Sequence, residues 1–171
     1  EPLLHQFEAR AGDCIFIPAG TVHAIGAGVV IAEIQQMSDA TFRVFDWNRV
    51  GADGKPRTLH IEQALASIDF ETGPVQPRSA RAQPVPGGEI ERLVRCPYFV
   101  IDRLRLKSAG QVGQHDRFTI LLGLGGAAVV RHEGEEHPLR FGQTLLLPAE
   151  AGPCAIEPVE GEATILTCSL P

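Results

Sequence analysis

The sequence predicts a mainly β protein: two jelly-roll β-barrel units, one short α-helix and a proline- and glycine-rich connector. Three observations predict this. Short apolar runs rich in β-branched residues recur along the 171-residue chain, separated by turns that draw on 18 glycines and 13 prolines. A single segment, His60 to Phe70, carries apolar residues (Ile61, Ala64, Leu65, Ile68) at helical spacing. The run Gly12-Asp13-Cys14-Ile15-Phe16-Ile17-Pro18-Ala19 is echoed by Gly142-Gln143-Thr144-Leu145-Leu146-Leu147-Pro148-Ala149, so one strand-then-proline device is used twice.

The elements follow in order. Cys14 to Ile17 read as a short strand that Pro18 ends, because proline lacks the ladder donor and fixes φ. Val29 to Gln36 form a second strand, Met37 to Ala40 a turn built on Ser38 and Asp39, and Thr41 to Trp47 a third strand. Asp53-Gly54 marks the next turn, with Pro56 keeping the chain extended after it. The helix is expected to lay one face on the barrel. Residues 71–89, with no hydrophobic period, read as the connector. From Ile90 the strands resume, ending near Ala163 to Ser169. The expected organisation is therefore a first unit at 1–70, a connector at 71–89 and a second unit at 90–171.

Charge and composition narrow the function classes. A formal net charge of −6 argues against a nucleic-acid partner. No apolar run of about 20 residues is present, so no membrane helix is expected, and no secretory leader is visible. Cys14, Cys96, Cys154 and Cys168 lack the C-x2-C spacing of a zinc ribbon or redox pair. They read as free thiols, which suits a reducing cytoplasm.

The most informative segment is GDCIFIPAGTVH, Gly12 to His23. Gly20 permits a backbone angle that a side chain resists, and a histidine placed at a sheet rim by such a turn is held as a metal ligand should be. The spacing G-x5-P-x-G-x2-H resembles the second metal motif of the cupins, with Ala27 where that motif often carries Asn. The following run, EIQQMSDATFRVFDW and then DGKPRTLHIEQAL, is more specific. It resembles the C-terminal part of bacterial type I mannose-6-phosphate isomerases. The resemblance is strong over 12–70 and looser beyond, where a second cupin repeat would lie.

That resemblance implies a zinc-dependent aldose–ketose isomerase acting on a phosphorylated hexose, with His23 as one metal ligand. The family's remaining ligands, a Gln and a His close together and then a Glu, come from earlier in the chain. The eleven residues before Gly12 offer only His5, Gln6 and Glu8 and do not match. The chain is therefore read as a C-terminal portion, which its beginning at Glu1 rather than Met also suggests. By motif, Arg43 falls in the substrate site and Glu33 near the metal. From the residues alone, Glu33 and Arg43 are charges centred in apolar strands and must find partners, as a structural ion pair or as site residues. Asp39 fits a catalytic role and a turn cap equally well. Arg43 would stabilise negative charge developing on the sugar, and Glu33 is a candidate base. Arg49 is the first choice for the phosphate, while Lys55 and Arg57 read as a solvated turn.

The remaining histidines carry less. His132 and His137 in HEGEEH flank an apparent hairpin tip, His60 begins the helix, and His115, Gly113 and Thr119 stand where a second metal motif would be. The second unit is accordingly expected to lack metal. A second function class stays open, a non-catalytic cupin module that binds carbohydrate or mediates association. An iron-dependent cupin dioxygenase would need an H-x-H and Glu set that neither unit shows. Exposed strand edges invite pairing, so homo-oligomerisation is expected.

Overall fold

Alternation of buried and exposed side chains builds the sheets of the C-terminal part of the chain, because successive strand residues face opposite ways. The computed structural model describes residues 3–38 and 40–171. It divides into two units, Glu1–Pro77 and Arg78–Pro171.

In the second unit the strands are β1 (Ala82–Val85), β2 (Gly88–Arg95), β3 (Val100–Leu106), β4 (Gly110–Val112) and β5 (Thr119–Gly125). After them come β6 (Ala127–His132), β7 (Glu135–Arg140), β8 (Thr144–Leu147), β9 (Cys154–Pro158) and β10 (Ala163–Ser169). They form a six-stranded sheet, β1-β2-β3-β10-β5-β8, and a four-stranded sheet, β4-β9-β6-β7. Every ladder is antiparallel. The core lies between the sheets. Leu104, Leu106, Leu121 and Ile165 come from the larger one, and Val112, Val130, Leu139 and Ile156 from the smaller. The expected barrel is thus a pair of facing open sheets, whose ladders do not close into a ring among the described residues.

The outer face of the large sheet carries a charge ladder. Glu89 stands opposite Arg105 and Glu91 opposite Arg103 across β2 and β3. Arg103 Nε donates to Glu91 at 2.7 Å, and Arg105 reaches Glu89 at 2.8 Å and Glu91 at 3.1 Å. Directly opposed unlike charges support a sheet. The Arg103 guanidinium holds the Glu91 carboxyl below the usual carboxylate range, against the opposing effect of burial.

Two expectations change here. Residues 82–85, placed in the connector, are strand β1, which hairpins onto β2. Pro84 is tolerated because β1 is an edge strand, where a missing N–H breaks no second ladder. In the first unit, the segments 14–17, 29–36 and 41–47 make no ladder among the described residues. A strand exists only where successive hydrogen bonds to a neighbour build a ladder, and among the described residues none of these segments builds one. The one antiparallel bridge there joins Val50 and Pro56 around the expected Asp53-Gly54 turn. The helix, α1 (Ile61–Ser67), is present but shorter than its apolar period. Only Ala64 on it is buried, while Ile61 and Leu65 stay exposed. No helix among the described residues is long and apolar enough to cross a membrane.

Glu91→Ala is expected to destabilise the second unit by roughly 3 kcal/mol, because it removes the buried carboxylate that Arg103 and Arg105 both bind. The native Glu91 pKa is depressed, so its contribution is complete above the unfolded value of about 4.3 and is lost as pH falls through the native value. Thermal melts should therefore show the gap between wild type and variant narrowing in acid.

Candidate functional site

Proline and glycine chemistry sets the turn that carries His23. The Thr21 N–H donates to the Pro18 carbonyl at 3.2 Å, closing a turn whose third residue, Gly20, has φ +87°. That angle belongs to the third position of a type II turn, where glycine is favoured. Gly20 is also pressed against the end of α1. A Cβ added there would stand 2.9 Å from the Ser67 carbonyl oxygen and 3.1 Å from the Asp69 nitrogen. The Asp69 N–H donates to the Gly20 carbonyl at 3.0 Å. The Asp69 side chain closes its own turn by accepting from the N–H groups of Glu71 and Thr72 and from the Thr72 hydroxyl. Those bonds from Thr72 and Glu71 hold its carboxyl below the usual range.

His23 follows this turn and is exposed to solvent. Its Nδ1 lies 2.9 Å from the Thr21 carbonyl oxygen. A carbonyl only accepts, so Nδ1 carries a proton, and in the neutral ring the lone pair is then on Nε2. This is the tautomer of a histidine prepared to bind a metal through Nε2. A zinc site needs at least three protein ligands. Among the described residues no group of three or more His, Cys, Asp or Glu side chains gathers to hold a metal. The described residues therefore supply one prepared donor, His23, and no three-ligand cluster.

The segment bearing Arg43 is tied to the other end of α1. The Arg43 N–H donates to His60 Nδ1 at 3.2 Å, and the His60 N–H donates to the Arg43 carbonyl at 2.8 Å. Arg43 Nη1 donates to the Thr58 carbonyl at 3.2 Å. Helix α1 is seven residues, roughly 10 Å, long. It is a strut with the Arg43 segment at its first turn and the His23 turn at its last. Glu33 is exposed and has no ion-pair partner among the described residues, while Arg43 finds its partner in the Thr58 carbonyl. Asp39 lies outside the described residues.

Arg49 and Arg57 converge on a residue that the sequence reading passes over, Asp46. Its side chain is only 7% exposed. Arg57 Nε donates to one carboxylate oxygen at 2.7 Å and Arg57 Nη2 to the other, which also accepts from Arg49 Nη2 at 2.8 Å. The Arg57 hydrogen bond, with Arg49 adding to it, holds the Asp46 carboxyl well below the usual carboxylate range. Arg57, expected to be a solvated turn residue, is thus half of a bidentate pair. The available signal was a carboxylate three and eleven residues before two arginines, in a segment otherwise apolar.

In the second unit, Glu133 (φ +49°) and Gly134 (φ +87°) form the two-residue tip between β6 and β7, as HEGEEH suggests. His132 Nδ1 lies 3.8 Å from the buried Cys154 thiol, whose pKa burial pushes up. His115 is exposed, with its ring on the Gly152 backbone. The Thr119 hydroxyl is buried and makes no hydrogen bond among the described residues.

With this geometry in hand, the comparisons with known proteins are specific. Residues 89–168 match the family described as mannose-6-phosphate isomerase, cupin domain. The chain is 36% identical over 150 residues to the mannose-6-phosphate isomerase of Streptococcus mutans, covering 85% of this chain and 46% of that protein. It is 29% identical over 157 residues to mannose-6-phosphate isomerase ManA of Bacillus subtilis, covering 92% of this chain and 50% of that one. The crystal structure of a Bacillus subtilis mannose 6-phosphate isomerase superposes with a TM-score of 0.67 at 25% identity, over 77% of this chain and 40% of that one. The chain spans about half the length of the curated relatives it matches.

Gly20→Ala is expected to strain the turn by about 1 kcal/mol from the positive φ alone, with the Ser67 contact adding to it. Hydrogen exchange should register this as faster exchange at the Asp69 amide. Unchanged protection there would contradict the docking of the turn on α1.

Proposed function

From its kinship with the mannose-6-phosphate isomerases, we propose that this chain is the C-terminal portion of a zinc-dependent aldose–ketose isomerase. The reaction is the interconversion of mannose 6-phosphate and fructose 6-phosphate. The observation that carries the reading is the preset His23 turn, with Nδ1 committed to a carbonyl and Nε2 available, in a chain related to such enzymes over most of its length. Two cupin units, the first completed by polypeptide beyond the described residues, belong to the same proposal, with the division near the 71–89 segment. So do a cytoplasmic location, supported by four cysteines free of disulfides, and self-association.

Isomerisation breaks the C2–H bond of the aldose and forms a C1–H bond, while a hydroxyl proton moves from O2 to O1. Zinc, when bound, supplies Lewis-acid polarisation of the sugar oxygens. Arg43 faces the negative charge that develops once the C2 proton leaves, since a guanidinium stays charged and donates in a fixed fork. Its tether to Thr58 and to the start of α1 fixes that fork. Glu33 is an exposed carboxylate free to act as base, and Asp39 is a further site candidate. Arg49 binds the phosphate.

The second reading, a non-catalytic cupin module for carbohydrate or association, is favoured by the lack of a three-ligand cluster among the described residues. Elemental analysis of the full-length protein to which this portion is proposed to belong separates the two. About one zinc per chain, lost in His23→Ala, together with turnover of mannose 6-phosphate, is the expected result. No zinc and no turnover in the wild-type full-length protein would leave this chain a module.

A further inference from the structure

We propose that Asp46, Trp47, Arg49 and Arg57 form one preorganised anion cradle for the phosphate group of a phosphorylated hexose. Asp46 is its positioning residue, and Arg57 is a second phosphate-binding arm. The inference rests on the isomerase reading for the sugar and deepens it at Arg49.

The argument starts from charge. The protein carries a net −6, and its described ion-pair clusters mostly balance or favour acid. Arg92 meets Asp102 and Arg117 meets Asp116 one to one. Arg103 and Arg105 share Glu91 and Glu89, and Arg131 meets both Glu136 and Glu157. Glu91 is shared by two guanidiniums but has Glu89 beside it to balance them, whereas among the described ion pairs Asp46 alone holds two guanidiniums with no second carboxylate in the cluster, leaving a local excess of positive charge. A dianionic phosphate is the ligand such an excess attracts.

The donors remain open. Each guanidinium has five N–H groups in a planar fork. The bonds to Asp46 use two from Arg57 and one from Arg49. The arginine side chains are 50% and 61% exposed, whereas their shared carboxylate is nearly covered. The anchor is therefore inside and the free edges of both forks face solvent.

The backbone presets the arrangement. The Arg49 N–H closes on the Asp46 carbonyl at 2.9 Å, with Trp47 at φ +48° and Asn48 at φ +54° between them. Two consecutive positive φ values make a type I′ turn, and a tryptophan in that region is a genuine outlier. The turn swings the Trp47 ring beneath Arg49, with the guanidinium carbon 5.2 Å from the ring centre. Arg49 is held between a carboxylate and an aromatic face, and the Phe45 ring meets the Trp47 ring in a tilted contact with centroids 5.6 Å apart. Such strain persists where the surroundings over-determine it, which is common at ligand clamps.

The test needs neither metal nor turnover, so it stands apart from the isomerase assay. Trp47 is the only tryptophan, and its fluorescence reports on the cradle directly. The full chain is titrated with inorganic phosphate, fructose 6-phosphate and fructose at matched ionic strength, with calorimetry in parallel. Saturable binding of both phosphate compounds, and none of fructose, is expected. Asp46→Asn and Arg57→Gln should each weaken it about tenfold, the equivalent of one charge-assisted hydrogen bond, with Arg57→Lys falling between. Arg131→Gln, in the other unit, should leave it unchanged. The proposal is overturned if wild type binds neither phosphate compound. It is equally overturned if Arg57→Gln and Arg57→Lys both keep wild-type affinity, for the cluster then serves folding alone.

Discussion

The first unit depends on two backbone contacts made at the two ends of one short helix. At one end the Asp69 amide bonds the Gly20 carbonyl, and at the other Arg43 and His60 exchange hydrogen bonds. Without a ladder among its described residues, this unit has no sheet to fix the path of its extended segments. The α1 strut takes that role. The glycine matters because any side chain at Gly20 would meet backbone, which cannot move aside as a flexible side chain can. The orientation of His23 then follows locally, through the Thr21 carbonyl. A candidate metal ligand and a candidate substrate arginine are thus positioned from opposite ends of the same element.

The second unit is organised on a different principle. Its order comes from two facing antiparallel sheets with fully covered Leu106, Leu121, Ile156 and Ile165 between them. Its polar specificity lies in the register-matched charges of β2 and β3. Nothing there gathers metal ligands, even though His115 and Thr119 stand where a metal motif would be. Burial raises the Cys154 thiol pKa, which disfavours the thiolate that metal binding requires.

Legibility in the sequence tracks how local each determinant is. The His23 turn, the Glu133-Gly134 tip and α1 are all readable, because glycine, proline and helical spacing act within a few residues. Strand β1 is hidden by its proline, since a rule about ladder donors does not reveal that the strand lies at a sheet edge. The segments 14–17, 29–36 and 41–47 have the composition of strands, but composition cannot supply a neighbour. That Glu33 and Arg43 need partners is legible, but which partner is not, because it depends on a long-range contact: Arg43 turns to the Thr58 carbonyl. Asp46 is missed because its two partners stand at unequal distances along the chain, and only the I′ turn and the Val50–Pro56 bridge fold them together.

The strained turn at Trp47 also bears on how the site should be understood. An Asp-Gly or Asn-Gly pair would adopt the same backbone with far less strain. The chain instead places there a tryptophan whose ring underlies Arg49, next to a carboxylate that grips Arg49 and Arg57 together. If this cluster only secured the loop, one bidentate pair between Asp46 and Arg57 would suffice. A second guanidinium on the same carboxylate adds repulsion between the two cations, which an anion arriving between them relieves. Loop security alone therefore leaves the second guanidinium, Arg49, unexplained, whereas a docking place for a dianion uses it.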